Sequence, residues 1–121
     1  MLKNTDIAIL GGNGLLGSAI SNITGGVVIT RLNYNNYVGK RFKTIINCVG
    51  NKYTYIADKN PILDLESSLI YGYKSILDFK FDKYIYLSSV ASYDDSSYGM
   101  HRRFCEDMLK FKIPEDYLIL R

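Results

Sequence analysis

The residues most suited to chemistry near the start of the chain are three glycines, Gly11, Gly14 and Gly17, which lie between an apolar run and a helical pattern. The first glycine permits the positive φ of a tight turn, the second leaves room for phosphates, and the third lets a helix pack closely on the strand. The free N–H groups and the positive dipole end of that helix would face the phosphates. The spacing therefore predicts a loop that binds the pyrophosphate of a dinucleotide, with a glycine turn that binds no ligand as the alternative. The predicted phosphate-binding residues are Gly11, Asn13, Gly14, Leu15, Leu16 and Gly17.

Alternating strand and helix patterns position this loop. The apolar or β-branched runs that predict strands are 6–10, 27–30, 44–50, 84–87 and 117–120. One helix follows the glycines and ends at Gly25, a second starts at Asn60, which can cap it, and Pro61, and a third covers 98–110. Strands that alternate with helices predict a parallel sheet with helices on both faces.

The connection between the second and third of these strands is short. It consists of residues 31–43, whereas a full strand–helix unit needs roughly 30 residues. Residues 31–39 are polar and irregular, with no helical or strand period. We therefore expect one strand of the usual order to be abbreviated or missing, together with the helix that would follow it.

Each predicted helix carries apolar residues at helical spacing, which predicts a buried stripe. The stripes are Leu15, Leu16, Ala19, Ile20 and Ile23 in the first helix; Leu65, Leu69, Tyr73, Ile76 and Leu77 in the second; and His101, Phe104, Cys105, Met108 and Leu109 in the third. The position of His101, the one histidine of the chain, favours a place in the core or an interface over a catalytic role.

Length and composition exclude several classes of function. With 121 residues, 47% of them hydrophobic, the chain is expected to form one domain over 1–121. The net charge is +3, and the densest basic patch, 40–43, is more typical of a solvated loop than of a nucleic-acid site. Cys48 and Cys105 lie in apolar segments without metal-ligand spacing, so we expect reduced core thiols, no metal site and a cytoplasmic protein. No apolar run approaches the ~20 residues of a membrane span, and no signal-peptide pattern opens the chain.

Five segments in this order resemble the short-chain dehydrogenase/reductase superfamily, above all its extended branch of nucleotide-sugar epimerases, dehydratases and reductases. The segments are the glycine loop 11–17, the strand end 47–50, the serine strand 84–90, the Tyr-x-x-x-Arg helix 98–102 with Glu106 beyond it, and the strand 116–121. The resemblance implies a three-layer Rossmann fold, a doubly wound parallel sheet with an abbreviated third strand, and NAD or NADP as cofactor. Beyond the glycine loop it implies cofactor contacts at Cys48, Val49, Gly50, Tyr98 and Arg102.

The resemblance also implies a reaction. In the family a tyrosine exchanges a proton with a substrate hydroxyl or carbonyl while hydride moves to or from the nicotinamide. A phenol titrates at about 10, so a neighbouring cation is needed to favour the phenolate near neutral pH. Tyr98 and Arg102 are four positions apart and so share one helix face, and Ser89 would hold the substrate oxygen. The implied catalytic residues are Ser89, Tyr98 and Arg102, with an ordinary helix-start tyrosine as the alternative for Tyr98.

Three features depart from the family pattern. Arg102 stands where the family has lysine, and a planar guanidinium differs from an ammonium in shape and reach. The loop between Ser89 and Tyr98 is shorter than extended members usually have. The sequence stops after the strand at 117–120, whereas extended members place most substrate contacts in later segments.

The choice between NAD and NADP is read at the end of the second strand. An acidic residue there binds the ribose 2′-OH of NAD, whereas a nearby arginine accommodates the 2′-phosphate of NADP. The residues present are Thr30 and Arg31, with no carboxylate. They favour NADP, and an Arg31 that only faces solvent is the alternative.

The main hypothesis is an NAD(P)-binding protein of this type that, if active, transfers hydride on a nucleotide-sugar or small carbonyl substrate. The alternatives are a non-catalytic NAD(P)-binding module or subunit and a fragment of a longer epimerase or dehydratase. By resemblance, the second and third helices would pair between the subunits of a homodimer. No nucleic-acid or membrane partner is expected.

Overall fold

A computed structural model describes residues 4–11, 14–50 and 54–121. Five parallel strands form one sheet in the order β2-β1-β3-β4-β5. The strands are β1 (Asn4–Leu10), β2 (Gly26–Ile29), β3 (Arg41–Asn47), β4 (Lys80–Leu87) and β5 (Tyr117–Leu120). The strand order reverses at β1, because β2 is added on one side of it and β3 to β5 on the other.

Helices connect these strands. They are α1 (Leu15–Thr24), α2 (Ile56–Lys59), α3 (Pro61–Leu65), a π-helical turn (Glu66–Ile70), α4 (Tyr71–Asp78) and α5 (Ser97–Lys112). The helix α1 packs against β1 and β2, whereas α5 packs against α2, α3, the π-helical turn and α4. Connections between parallel strands are right-handed in nearly all proteins, so the reversal of the strand order at β1 puts these two groups on opposite faces of the sheet. This arrangement confirms the predicted three-layer Rossmann fold. None of the described helices is long and apolar enough to cross a membrane.

The shortened connection between β2 and β3 agrees with the prediction. Residues 30–40, all of them described, contain no strand and only a short 3₁₀ turn at Tyr34–Asn36. Asn33 closes this connection, because its Oδ1 accepts a hydrogen bond from the Thr30 N–H at 2.7 Å and its Nδ2 donates to the Val28 carbonyl at 3.0 Å. A compact turn thus replaces a strand and a helix.

The structure confirms the residues that were predicted to start and end the helices. Asn60 Oδ1 accepts a hydrogen bond from the Leu63 N–H at 3.3 Å, and Pro61 occupies the first position of α3. At the end of α1, Gly25 adopts a left-handed conformation with φ 68°, and its N–H donates to the Ser21 carbonyl at 2.8 Å. These groups satisfy backbone atoms that the ends of a helix leave without partners.

The buried stripe predicted for α1 is wrong. Leu15, Leu16 and Ile23 are 91%, 60% and 82% exposed, and Ala19 is exposed as well. Ile20 is partly buried, and Gly17 is the buried residue of the helix. The helix therefore approaches the sheet through the glycine that lacks a side chain, and its longer apolar residues point away from β1 and β2.

The buried stripe predicted for the second helix is wrong for Tyr73 and Leu77, which are 37% and 68% exposed. Leu65, Leu69 and Ile76 are half-buried. The buried face is one position out of phase with the predicted stripe already at Asp64, before the π-helical turn begins, because the spacing of apolar residues does not show which face of the helix packs on α5. The positions that are instead buried are Asp64, Ser67, Ser68, Gly72 and Ser75. These small residues allow close packing: a Cβ built at Gly72 would lie 3.1 Å from Cys105 Sγ on α5.

The stripe predicted for α5 is correct at His101, Cys105, Met108 and Leu109 and wrong at Phe104, which is 42% exposed. The buried side of α5 also contains Arg102 and Glu106, so it is rotated away from Phe104. His101 lies in the core, as expected, and its Nδ1 is 2.6 Å from Asp64 Oδ2 on α3. The buried side of this helix is thus partly polar.

A polar network inside the core joins the sheet to α4. Asn47 at the end of β3 donates from Nδ2 to Tyr84 Oη at 2.9 Å, and Ser75 Oγ lies 2.7 Å from the same hydroxyl. Ser75 also donates to the Gly72 carbonyl at 2.7 Å. Because buried polar groups are costly without partners, this network fixes the position of α4 over β3 and β4.

Candidate functional site

A cleft of about 620 Å³ opens at the carboxyl ends of β1, β2 and β3. The cleft lies where the strand order reverses, and in open α/β sheets this is the usual place for a ligand. Its walls come from the glycine turn, the end of β2, the loop after β3 and the helix that follows that loop. The lining residues are Gly11, Gly14, Ile29, Thr30, Arg31, Leu32, Cys48, Val49, Gly50, Leu63, Glu66, Ser67 and Tyr71.

The glycine turn forms one wall of the cleft. Gly11 has φ 75°, and its N–H donates to the Ile29 carbonyl at 3.1 Å, so the turn is tied to the end of β2. Gly14 is the N-cap of α1, where the first turn has no side-chain cap and no acidic residue. The N-terminus of this helix is thus open to an anion. Asn13 lies outside the described residues, and Leu15, Leu16 and Gly17 belong to the start of α1, outside the lining of the cleft.

The loop after β3 forms a second wall and contains three of the predicted residues. Asn47 Oδ1 accepts a hydrogen bond from the Val49 N–H at 2.9 Å, and the Cys48 N–H donates to the Leu10 carbonyl at 2.9 Å. Burial raises the pKa of the Cys48 thiol to about 11, so the thiol is neutral at physiological pH. The loop therefore presents fixed backbone and an uncharged side chain to the cleft.

Arg102 and Tyr98 lie together beside this loop. The Arg102 side chain is almost fully buried; its Nη1 donates to Tyr86 Oη at 2.8 Å and is 3.5 Å from the Val49 carbonyl oxygen. Its Cζ is 5.0 Å from the centre of the Tyr98 ring, and the guanidinium packs so closely on Gly50 that a Cβ there would overlap it. The Nε atom is buried without a hydrogen-bond partner among the described residues.

The charge of this arginine is retained despite its burial. Desolvation alone would lower the pKa of Arg102, but the hydroxyls of Tyr86 and Tyr98 outweigh it, and the pKa is raised above its usual value. Burial chiefly raises the pKa of Tyr86, which therefore stays protonated. Among the described residues, the Arg102 cation thus has the phenols of Tyr86 and Tyr98 and the Val49 carbonyl as its partners.

Ser89 has a local contact in the structure. Its Oγ accepts a hydrogen bond from the Ala91 N–H at 3.1 Å and caps the 3₁₀ turn at Val90–Tyr93. The structure thus brings Tyr98 and Arg102 into contact with each other, and Arg102 into contact with the loop after β3. The predicted residues that line the cleft are Gly11, Gly14, Arg31, Cys48, Val49 and Gly50.

Seven lining residues were not among the predicted contacts: Ile29, Thr30 and Leu32 flank Arg31, and the other four lie in the helices after β3. Leu63, Glu66, Ser67 and Tyr71 come from α3, the π-helical turn and α4, which form the wall opposite α1. The predicted sheet topology could have indicated these helix residues, because a helix that follows a parallel strand starts at the carboxyl edge of the sheet. The first turns after Asn60 could have been assigned to the cleft on that ground.

A buried carboxylate connects the ends of β4 and β5 to α5. Ser88 Oγ donates to Glu106 Oε2 at 2.5 Å, and Arg121 Nη2 donates to Glu106 Oε1 at 2.6 Å. Burial of Glu106 acts to raise its pKa, but the hydrogen bonds from Arg121 and Ser88 outweigh it, and the pKa is lowered. Glu106 thus holds Ser88, the neighbour of Ser89, against α5, the helix that also carries Tyr98.

We expect Glu106→Gln to make the stability less dependent on pH. A carboxyl group with a lowered pKa in the folded state stabilises the fold above its unfolded pKa of about 4.3, and this contribution is lost as the pH falls through the folded value. The difference in free energy of unfolding between wild type and Glu106→Gln should therefore shrink as the pH falls from about 6 to about 3. Urea unfolding at several pH values measures it. The exposed Glu115→Gln is the control, and a difference that does not change with pH would contradict the prediction.

Comparisons with known proteins agree with this architecture. No protein-family model matches the sequence, and no curated protein matches it by sequence. Solved structures do match the fold. UDP-N-acetylglucosamine 4-epimerase from Methanobrevibacter ruminantium, in complex with UDP-N-acetylmuramic acid, superposes with a TM-score of 0.79 at 14% identity, over 99% of this chain and 55% of that chain.

Two further solved structures also match most of this chain and about half of their own length. UDP-glucose 4-epimerase from Thermotoga maritima, with UDP-glucose, matches with a TM-score of 0.72 at 18% identity, over 95% of this chain and 54% of that chain. RMD from Pseudomonas aeruginosa, complexed with NADPH, matches with a TM-score of 0.74 at 14% identity, over 93% of this chain and 53% of that chain. The chain has the fold of these nucleotide-sugar epimerases and of RMD, and it spans about half their length.

Proposed function

We propose that the chain binds a nicotinamide dinucleotide, NAD or NADP, in the cleft at the carboxyl edge of the sheet. The observation that carries the proposal is that one cleft combines the glycine turn, the uncapped start of α1 and the loop after β3. Dinucleotides bind at this point of a doubly wound sheet, with the pyrophosphate at the N-terminus of the first helix. The NADPH in the RMD structure supports the same class of ligand.

The residues present fit such a ligand. A Cβ built at Gly14 would meet Gly11 O at 3.4 Å, an ordinary contact, so no backbone requirement demands glycine there. Space for the phosphates explains it instead. Gly14 and the first N–H groups of α1 would hold the pyrophosphate, Val49 and Gly50 would lie along the ribose, and Arg31 would lie at the other ribose beside β2.

Gly14→Ala separates binding from folding. The methyl group fits the fold but fills the space of the phosphates, so we expect dinucleotide affinity to fall by about tenfold or more, with an unchanged melting temperature. Titration calorimetry with NAD, NADH, NADP and NADPH measures the affinity. Asn22→Ala, at an exposed position of the same helix, should bind like wild type. Absence of binding to all four dinucleotides at millimolar concentration would refute the proposal.

We further propose that the bound cofactor takes part in hydride transfer on a nucleotide-sugar or small carbonyl substrate. The cofactor supplies the hydride chemistry, and the protein supplies binding, orientation and the proton. The Tyr98 hydroxyl would donate a proton to the substrate oxygen or accept one from it, and Arg102 would stabilise the negative charge that develops on the phenol. Ser89 would hold the substrate oxygen by a hydrogen bond. The nucleotide sugars in the epimerase structures support this substrate class.

Tyr98→Phe tests the proton transfer. The variant keeps the ring beside Arg102 but removes the hydroxyl, so we expect turnover to fall by a factor of about 100 or more, with nearly unchanged cofactor affinity. The absorbance of reduced nicotinamide, followed with a panel of nucleotide sugars and small carbonyl compounds, measures turnover. Tyr93→Phe changes an exposed tyrosine and is the control. Full turnover in Tyr98→Phe would refute the catalytic role.

A non-catalytic dinucleotide-binding subunit or fragment is the second candidate. The observation that favours it is the arginine at the lysine position, whose guanidinium is engaged by Tyr86 and Val49 inside the protein. Cofactor binding by a wild-type protein that turns over no substrate of the panel would support this candidate over the enzyme.

We also propose a homodimer formed by the outer surface of α4 and α5. This surface exposes Leu77 and Phe111, which are 68% and 84% exposed, and Tyr73 and Phe104 lie on it as well. Lys112 on α5 lies 5.5 Å from the centre of the Tyr73 ring on α4, so the two helices present one continuous surface. Apolar surface of this kind is typical of association sites.

Charged residues on this surface should prevent association. We expect wild type to have the mass of a dimer, and the double variant Leu77→Glu and Phe111→Glu to have that of a monomer, because each buried carboxylate would be costly. Size-exclusion chromatography with light scattering measures the mass. Leu118→Glu places a charge at a half-exposed position on β5 and should leave the dimer intact. A monomeric wild type would refute the homodimer.

A further inference from the structure

Gly50 lies against the guanidinium of Arg102 at the edge of the cleft. Gly50 is exposed and lines the cleft, whereas Arg102 is 6% exposed and does not belong to the lining. A Cβ built on the Gly50 backbone would lie 3.0 Å from Arg102 Cζ and 3.3 Å from Nη1, and it would overlap Nη2. The guanidinium therefore occupies the space that a side chain at position 50 would need.

The backbone at position 50 does not itself require glycine. The described glycines with positive φ are Gly11, Gly25 and Gly39, so Gly50 lies outside the left-handed region that favours glycine. The three atoms nearest to a Cβ at position 50 all belong to Arg102. The need for glycine is thus a need for space, and one side chain imposes it.

The guanidinium is not free to move out of this space. Its Nη1 donates to the buried Tyr86 Oη at 2.8 Å and lies 3.5 Å from the Val49 carbonyl oxygen. Its Nε is already buried without a hydrogen-bond partner among the described residues. A displacement would break the bond to Tyr86 and leave another buried N–H group without an acceptor, which is costly.

A lysine at position 102 would not need the same space. Lysine ends in a single ammonium group, whereas arginine ends in a planar fork with two terminal nitrogens. The fork atom nearest to the Cβ position of residue 50 is Nη2. An unbranched side chain at position 102 lacks this atom, so alanine would fit at position 50.

We propose that Gly50 is a positioning residue for Arg102. Its missing side chain gives the guanidinium the place from which it reaches Tyr86 and lies 5.0 Å from the centre of the Tyr98 ring. Glycine at position 50 and arginine at position 102 are therefore a matched pair. The pair itself does not depend on the proposed function, whereas its effect on ligand affinity rests on the proposed dinucleotide binding.

A double-mutant cycle tests the pair without a ligand. We expect Gly50→Ala to lower the melting temperature by about 5 °C or more in wild type, and by about 1 °C or less when Arg102→Lys is also present. Arg102→Met also lacks Nη2 but carries no charge, so it should relieve the loss as well. Thermal unfolding followed by circular dichroism measures these shifts.

Two results would overturn the matched pair. The first is a loss in either Arg102 variant as large as that in wild type, and the second is no loss in wild type. If Gly50→Ala alone does not fold, recovery of a folded protein on adding Arg102→Lys or Arg102→Met supports the pair. Failure of both double variants to fold overturns it.

The same cycle extends to the cleft by titration calorimetry with NAD, NADH, NADP and NADPH. Because Gly50 belongs to the cleft wall, we expect Gly50→Ala to reduce affinity by about tenfold in wild type and by less than about twofold in Arg102→Lys. Gly14→Ala is the matched control, because a Cβ at Gly14 has only Gly11 O within 4 Å. Its loss of affinity should be the same with Arg102 and with Arg102→Lys.

The two measurements separate this inference from the proposed function. Coupled melting temperatures without binding of any of the four dinucleotides would refute the proposed function and leave the matched pair standing. Dinucleotide binding with uncoupled melting temperatures would overturn the matched pair and leave the proposed function standing. Relief of Gly14→Ala by Arg102→Lys would also overturn the pair, because the relief would then not be specific to position 50.

Discussion

The buried guanidinium of Arg102 is the constraint on which the arrangement of the site depends. A cation taken out of water costs several kcal/mol, and this cost must be offset by hydrogen bonds and by aromatic faces. Tyr86 from β4 and the Val49 carbonyl from the loop after β3 supply part of that compensation, and Tyr98 from the same helix supplies more. Because the partners come from separate elements, α5, β4 and the cleft wall are held in one relation to each other.

This constraint also explains why the buried side of α5 differs from an apolar stripe. Arg102 and Glu106 are one helical turn apart, and each anchors a different part of the sheet: Arg102 contacts Tyr86, and Glu106 contacts Ser88 and Arg121. Apolar contacts have no direction, so by themselves they specify the register of a helix on a sheet less strictly. Charge-assisted hydrogen bonds have direction, so they fix the register of α5 on the strands.

The sequence predicted the sheet well because buried parallel strands read as continuous apolar runs, as in 6–10 and 44–50. It predicted the glycine turn because few residue types tolerate φ 75° at Gly11. Helix faces were predicted less well. Leu15 and Ile23 satisfy the spacing of a buried stripe yet face solvent, because the spacing does not show which side of α1 meets the sheet.

The π-helical turn was the largest departure, since no residue in 66–70 marks it in the sequence. Ser67, Ser68 and Gly72 do not look like core residues, and their burial depends on how closely α4 approaches α5. The predicted cleft residues came mainly from glycines and strand ends, which have local signatures. Glu66 and Tyr71 line the cleft because of the rotation of their helix about its axis. This rotation is set by tertiary packing and has no local signature in the sequence.

The same turn has an evolutionary consequence. A π-helical turn is equivalent to one residue inserted into an α-helix, so the loss of a single codon within 66–70 would return the segment to an ordinary helix. The extra residue is absorbed within the turn, so the side chains from Tyr71 to the end of α4 would keep nearly the same directions relative to α3. Tyr71 would remain at the cleft, and Gly72 would still face Cys105. The cleft wall and the packing of the helix layer can therefore tolerate a change of one residue in the length of this short segment.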